Sequence, residues 1–451
     1  MHMDRSELEE SILTTIKPSA AEREHLKDVA SKLMDTINTI ASRNNIPLLS
    51  TQLVGSAARE TWISGTHDLD IFMKFDEQTA RHDLETYGLS LGREVAKQAD
   101  RWEERYAEHP YIKMHYHGFD VDLVPCYRVS SASKIISAVD RTPFHNEFIK
   151  ENICEMEDHV LLLKQFMRGN GVYGSELKTR GFSGYLAELL IIQYGSFYKV
   201  LTAASDWKPG LVIDLMEHAN TKFDDPLVVI DPTDPKRNVA AALSLDSFCT
   251  FIDGCRRYLK NPARTMFFPD PVPPLTNSDI QELLHMRESS MIAIVFNTPD
   301  VVEDIFYPQF YKMEHSVVSM LEINEFRVLK SGTLGDADRA VLLIELESAT
   351  LPNIRKHHGP PVWVHKHAEN FLSMYENNDD VYTMYIEDGR YVVELPRNLK
   401  DAASLLGAKL TECSLGKHIS RSINEEVKIL QDEDICMIDD KALRSYLRTW
   451  L

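Results

Sequence analysis

Six cysteines are spread over 451 residues, at positions 126, 154, 249, 255, 413 and 436, and no two form a Cys-x-x-Cys pair. That spacing suggests neither a zinc site nor a disulfide framework. No apolar run reaches the ~18 residues that a membrane span needs. The opening residues Met1, His2, Met3, Asp4, Arg5, Ser6 and Glu7 are polar and acidic where a signal peptide would be basic and then apolar. The expectation is a cytoplasmic chain with no membrane partner. Positive charge is scarce too: 49 Lys and Arg face 69 Asp and Glu, a net charge of −20. Proteins that coat polyanions draw most of their affinity from Lys and Arg, so general coating of nucleic acid is disfavoured and a limited, specific footprint is left. Short basic clusters exist at Lys178 and Arg180, at Arg256, Arg257, Lys260 and Arg264, at Arg355 and Lys356, and at Lys417 and Arg421. Each alone reads as a solvated face. Internal repeats and low-complexity segments are also missing. What remains is an ordinary globular composition, 43% hydrophobic and 26% charged, in a chain long enough for two to four domains.

Against that background one constellation stands out. Gly55 and Ser56 precede an apolar strand that opens Asp68-Leu69-Asp70, and Asp122 sits on a second strand running from Phe119 to Pro125. Alternation sends Leu69, Ile71, Met73 and Phe75 to one face and Asp68 and Asp70 to the other. At roughly 3.3 Å per residue, positions i and i+2 are about 6.6 Å apart, a span that one or two divalent ions bridge. Asp120 and Asp122 repeat the pattern. A single Asp-x-Asp is usually a solvated strand face; two of them with a Gly-Ser turn and Arg59 are a different matter. A carboxylate cluster is costly unless a cation neutralises it. Carboxylate oxygens suit Mg²⁺, and paired ions serve phosphoryl transfer by activating an attacking hydroxyl and stabilising the leaving pyrophosphate. Gly55 would let the backbone approach a phosphate, Ser56 would offer its hydroxyl and N–H, and Arg59 would grip phosphate oxygens. The residues read as a nucleotidyltransferase site.

The expected fold is α+β and multidomain. Ser19 and Glu22 form a capping box opening a helix to about Asn44. Pro47 to Val54 reads as a strand, Leu84 to Tyr106 as a helix, and Tyr111 to Tyr127 as a hairpin turning near Gly118. These make an α/β head with a mixed sheet, residues 1–150. A helical second domain, 151–265, follows. It contains a helix with Val160, Leu163, Phe166 and Met167 on one face, a break at Gly169 to Gly171, and a second helix from Phe182 to about Leu201. Then come an irregular stretch from Trp207 to Asp234 with a strand at Leu227 to Ile230, and a helix from Asn238 to Tyr258. Residues 266–451 read as an α/β body and tail. Its strands are Met291 to Asn297, Ala340 to Leu346 and Arg390 to Glu394; its helices are Asp304 to Glu325, His367 to Tyr375, Ala402 to Leu406 and Ile419 to Leu430. His357, His358, His365 and His367 lie around a Gly359-Pro360-Pro361 turn without Cys or paired carboxylates, and the bland reading is preferred to a metal site.

Several stretches together resemble the archaeal-type (class I) CCA-adding tRNA nucleotidyltransferases of the DNA polymerase beta superfamily. They are Gly55 to Trp62, Asp68 to Asp70, Tyr106 to Tyr111, Val121 to Tyr127, Ser137 to His145, Arg180 to Tyr185 and Asp231 to Ala241. Seven blocks in order are far more specific than any one of them. The resemblance implies an untemplated polymerase that completes tRNA 3′ ends with C, C and A from CTP and ATP, with Mg²⁺ as cofactor and release of pyrophosphate. It assigns Asp68, Asp70 and Asp122 to catalysis and metal, and Ser56 and Arg59 to triphosphate. Thr142, His145, Lys164 and Tyr173 match positions that contact triphosphate or sugar. Glu108 and His109 match positions near the nucleotide cleft, and Arg237 the arginine that reads the incoming base. The body and tail would bind the acceptor stem and elbow of tRNA by shape and backbone, as suits A-form RNA. A homodimer is compatible with all of this.

Plain structural readings stand beside these assignments. Lys164 could snorkel among apolar neighbours, His145 could be a satisfied turn residue, Tyr173 could be core, and Arg237 could cap a helix. Three further functions also remain open: a poly(A)-type RNA-terminal nucleotidyltransferase, an RNA-binding protein with a dead catalytic head, and a small-molecule nucleotidyltransferase. Intact Asp68, Asp70 and Asp122 speak against the second, and the long C-terminal region against the third.

Overall fold

A computed structural model describes residues 4–451; Met1, His2 and Met3, which belong to the acidic start, lie outside the described residues. The chain divides into two compact units, Met1–Asp270 and Pro271–Leu451.

The first unit begins with helices α1 (Arg5–Ile16) and α2 (Ala20–Arg43). Both halves of the Ser19–Glu22 capping box form, and Leu26, Val29, Leu33, Ile37 and Ile40 make a buried stripe at helical spacing. The sheet strands are β1 (Ser50–Val54), β2 (Asp68–Asp76), β3 (Arg101–Tyr106), β4 (Pro110–Tyr116) and β5 (Phe119–Arg128), in the order β1-β2-β5-β4-β3. β2 and β5 run parallel and the other pairs antiparallel, so the sheet is mixed. Between β1 and β2 the Gly-Ser turn is a single helical turn, α3 (Gly55–Ala58). Helix α4 (Arg81–Ala96) shares with α2 one face of the sheet, where Leu69, Ile71, Met73, Phe75, Ile112, Val121 and Leu123 close a core. The helix lies very near the strands: a Cβ on Gly88 would be 2.7 Å from Pro125, and one on Gly92 would be 2.4 Å from Ile112.

Helices α5 (Thr142–Asn152), α6 (Glu157–Gly169), α7 (Gly184–Tyr194), α8 (Phe197–Ala204) and α9 (Leu245–Lys260) build a second core. Leu8, Ile12 and Ile16 bring α1 into that core as well. A small sheet of β6 (Leu211–Ile213), β7 (Leu227–Asp231) and β8 (Asp234–Asn238) lies between α8 and α9 in sequence.

Three expectations are corrected here. Arg101–Tyr106 is a strand and not the end of a helix, because β4 pairs with it along its length. The helix expected from Phe182 to Leu201 is two, since Gly195 adopts φ +83° and the Ser196 hydroxyl caps a new helix through Lys199 N–H. The helix expected from Asn238 starts at Leu245, capped by Ser244.

The second unit carries two antiparallel sheets. Strands β9 (Ser290–Asn297), β10 (Val328–Gly335), β11 (Arg339–Leu346) and β15 (Val427–Gln431) form one, ordered β10-β11-β9-β15. Strands β12 (Ile354–Pro361), β13 (Thr383–Glu387) and β14 (Arg390–Pro396) form the other, ordered β12-β14-β13. Helices α10 (Asn277–Arg287), α11 (Glu303–Ile323), α12 (His365–Tyr375), α13 (Ala402–Lys409), α14 (Lys417–Glu425) and α15 (Lys441–Trp450) complete it. The helix expected to reach Leu430 stops at Glu425, because the next residues pair with β9. Gly359 to Pro361 end a strand instead of making a turn, and His357 stacks on Phe371 of α12.

Candidate active site

Strand register gathers the carboxylates. In the parallel pair, Asp68 lies opposite Asp120 and Asp70 opposite Asp122, and alternation points all four away from α2 and α4. Asp68 is exposed, while Asp70 and Asp122 are half-buried. Burial, then the charges of Asp122 and Asp68, push the Asp70 carboxyl up to about 6 against the pull of Arg59 and Lys113. Asp122 is raised too, chiefly by burial, and its Oδ1 is buried with no hydrogen-bond partner among the described residues. No group of three His, Cys, Asp or Glu among the described residues stands ready as a metal cage; the carboxylates are aligned but not closed on one point. Gly55 has φ +74°, and a Cβ there would lie 2.2 Å from Asp70 Oδ2. Only a residue without a side chain lets the turn meet the carboxylate so closely. Ser56, next in the turn, is half-buried.

Arg59 points elsewhere than its sequence position suggests. Its guanidinium is buried, with Nη2 at 3.0 Å from Glu188 Oε2 on α7. Lys164 joins it: the ammonium does not snorkel but donates to the Thr61 carbonyl at 2.9 Å and lies 3.3 Å from Glu188 Oε1. Thr61 Oγ1 also donates to Glu188. Burial pushes the Glu188 carboxyl up, but Arg59 and Lys164 outweigh it and hold it below its ordinary value. Tyr173 approaches the same place, since a Cβ on Gly184 would sit 3.1 Å from the Tyr173 hydroxyl and 3.6 Å from Lys164 Nζ.

A second buried carboxylate organises another group. Asp231 Oδ2 lies 2.7 Å from His145 Nε2 and accepts from Arg237 Nη1 at 2.9 Å. Its Oδ1 accepts from the Thr233 backbone and hydroxyl at 2.9 and 2.8 Å. His145 stacks on Tyr185 with centroids 4.1 Å apart. Burial raises the Asp231 carboxyl, but His145 and Thr233 more than reverse that and hold it well below the carboxylate range. Arg237 therefore lies on a strand and serves a carboxylate, and caps no helix. Thr142 opens α5, whose approach is fixed by Asp140 accepting the backbone N–H groups of Tyr127, Ile136 and Ser137 at 2.8, 3.0 and 2.7 Å.

Glu108 and His109 stand apart from both groups, in the β3–β4 turn. Glu108 is exposed, and its carbonyl accepts from Arg81 at 2.6 Å. His109 is buried against Tyr127 with Nδ1 at 3.3 Å from Glu85. Sequence reasoning assigned no role to Glu188 or Asp231. Glu188 did carry a signal, as the one charged side chain of an otherwise apolar helix.

Three stretches of the chain match known protein families. Residues 34–145 match the nucleotidyltransferase domain family, residues 158–268 the second domain of tRNA nucleotidyltransferases, and residues 287–432 the C-terminal domain of CCA-adding enzymes. The fold and these matches define a nucleotidyltransferase. A CCA-adding enzyme of Methanosarcina barkeri is 54% identical over 99% of this chain and 98% of its own length. One from Methanosarcina mazei is 52% identical over the same shares, and one from Halobacterium salinarum 41% over 93% and 92%. Likeness to solved structures is looser: the Cid1 poly(U) polymerase is matched at 13% identity over 59% of this chain and 99% of that one, with a TM-score of 0.47. The chain belongs to the CCA-adding enzyme family.

Proposed function

We propose that this protein adds C, C and A in turn to the 3′ end of tRNA without a template, using CTP and ATP, releasing pyrophosphate and requiring Mg²⁺. The observation that carries the reading is the register that sets Asp70 beside Asp122 with Gly55 against them. The residues suit Mg²⁺: the donors are hard oxygens, the Asp122 Oδ1 has no partner among the described residues, and Asp70 is raised first by burial and then by neighbouring negative charge, which a cation would relieve. Asp68, Asp70 and Asp122 would hold the ions, which supply Lewis-acid stabilisation of the attacking and leaving oxygens when bound. The chain's own groups do the rest. Gly55 and Ser56 present backbone N–H and hydroxyl donors to phosphate. Lys164 and Tyr173, beside the Arg59–Glu188 pair, bind the triphosphate tail, with Thr142 and His145 on α5 at its sugar. Arg237, held by Asp231, addresses the base edge, where a fork discriminates C and A from U and G. Glu108 and His109 border the nucleotide cleft.

In this reading residues 1–150 are the catalytic head, 151–265 the helical domain that completes the nucleotide site, and 266–451 the body and tail that hold the acceptor stem and elbow. No described helix is long and apolar enough to cross a membrane. The test is incubation with Mg²⁺ and a tRNA transcript lacking CCA, giving each labelled nucleotide singly and then CTP with ATP. Two C, one A and arrest is the expected product, lost in the Asp68→Ala, Asp70→Ala variant. Open-ended A addition would move the assignment to a poly(A)-type enzyme, and no addition would leave an RNA-binding protein.

A further inference from the structure

The face of the first sheet that carries the carboxylates continues past them. Lys113 on β4 lies opposite Asp122, and His115 opposite Asp120. One strand further, Arg101 on β3 lies opposite His115, Glu103 opposite Lys113, and Arg105 opposite Tyr111. Residues directly opposite in antiparallel strands have Cα atoms about 4.5–5.5 Å apart and point to the same face. Arg101, Arg105 and Lys113 therefore form a cationic field beginning one strand from the catalytic carboxylates, on a groove of about 380 Å³ that they line with His115, Glu103 and Trp102. One of its charges is spent locally, since Arg105 lies 2.7 Å from Glu103, and the His115 ring lies 3.0 Å from Asp120. Arg101 and Lys113 have no carboxylate at ion-pair distance among the described residues. Lys113 and Arg105 both act on Asp122, lowering its raised carboxyl.

The order of strands assigns this field an occupant. The carboxylates of β2 and β5 have the Gly55–Ser56 turn on one side, at the end of β1, and β4 and β3 on the other. In the transfer, the RNA 3′ oxygen bonds to the α-phosphorus as the bond from that phosphorus to pyrophosphate breaks. Pyrophosphate leaves with the electron pair, and the hydroxyl proton passes to solvent. Attacking and leaving oxygens stand in line on opposite sides of the phosphorus. With the leaving triphosphate tail at the Gly55–Ser56 side, the hydroxyl must arrive from the side of Asp122 and Lys113, and the strand carrying it trails a phosphate with every nucleotide.

We infer that the open face of β4 and β3 is the seat of the RNA strand ending in the reactive 3′ hydroxyl, with Lys113 and Arg101 binding its backbone phosphates and Glu103 restraining Arg105 from doing the same. The inference rests on the proposed RNA-extending activity and deepens it. It also sets an acidic protein's RNA contacts at the point where the chemistry needs them.

The charges give opposite signs to two single changes. Arg101→Gln and Lys113→Gln should each raise the Kd and KM for CCA-lacking tRNA, the pair together about tenfold, and each should reduce the salt slope of RNA binding by about 1. Glu103→Gln should free Arg105 and tighten tRNA binding severalfold, an effect that damage to the fold does not produce. The KM for CTP should stay at its wild-type value in Arg101→Gln and Glu103→Gln, and all variants are compared at matched thermal midpoints. Unchanged tRNA affinity in all three variants, or a rise in the KM for CTP with none for tRNA, overturns the inference. If the wild type binds this tRNA but does not extend it, the proposed function fails while the binding signs still decide the seat; if it neither binds nor extends, both fail.

Discussion

Glu188 is fully buried, yet Arg59, Lys164 and Thr61 all reach it. Removing one partner of such a group strands the others, and a buried cation left without its counter-charge is expensive. Glu188→Gln should therefore destabilise the first unit by about 3 kcal/mol, read from urea unfolding. Asp231 offers a separate measurement. Burial lowers the His145 imidazole below its ordinary value, and the Asp231 hydrogen bond and charge oppose that fall. In Asp231→Asn the opposition is gone, so His145 should titrate at lower pH than in the wild type, as followed by its ring proton resonances. The linkage signs differ for the two groups. The depressed Asp231 carboxyl adds stability above the unfolded carboxylate value of about 3.9, lost as pH falls through its folded value. The depressed His145 makes stability rise with pH up to its unfolded value of about 6.5. The aligned aspartates were legible in the sequence because strand alternation is local and their partner strand repeats the pattern. Asp231 lies in a legible block, but its acceptor role depends on His145, 86 residues away, which no local pattern reveals.

At the scale of elements, the sheet and its two covering helices set how well the carboxylates are aligned. Helix α4 crosses the strands through Gly88 and Gly92, whose missing side chains make room for Pro125 and Ile112. Gly92→Ala should gain helix propensity yet lose about 1–3 kcal/mol net by forcing the helix off Ile112, whereas Ser90→Ala on the exposed face should stay within about 0.5 kcal/mol. Thermal unfolding of the two variants side by side checks the sign. Most helices and most core strands were legible from period and caps, and the failures share one cause. Arg101–Tyr106 and Val427–Gln431 are mixed polar and apolar segments at sheet edges, and distant pairing with β4 and β9 decides their conformation. The split between α7 and α8 was written locally, in Gly195 and Ser196, but a continuous apolar run masks a cap when hydrophobicity alone is followed.

For the molecule as a whole, a net charge of −20 must coexist with a polyanionic substrate. At about 0.1 M salt the Debye length is about 10 Å, so remote acidic surface repels RNA weakly, while cations within a few ångströms of its phosphates act almost unscreened. Such a protein gains affinity from few contacts, each placed where shape or chemistry demands it, and the counterions it releases are correspondingly few. The logarithm of the tRNA binding constant against the logarithm of salt, between about 50 and 200 mM, should fall with a slope no steeper than about −5, against about −10 for a protein that wraps its nucleic acid in Lys and Arg. Fluorescence anisotropy with a labelled CCA-lacking tRNA reads it directly. A slope near −10 would mean that local basic clusters, such as Arg256 to Arg264 or Lys417 with Arg421, each contact the RNA as well. A shallow slope that flattens further in Arg101→Gln would mean that the few contacts made are concentrated where the 3′ end meets the catalytic carboxylates.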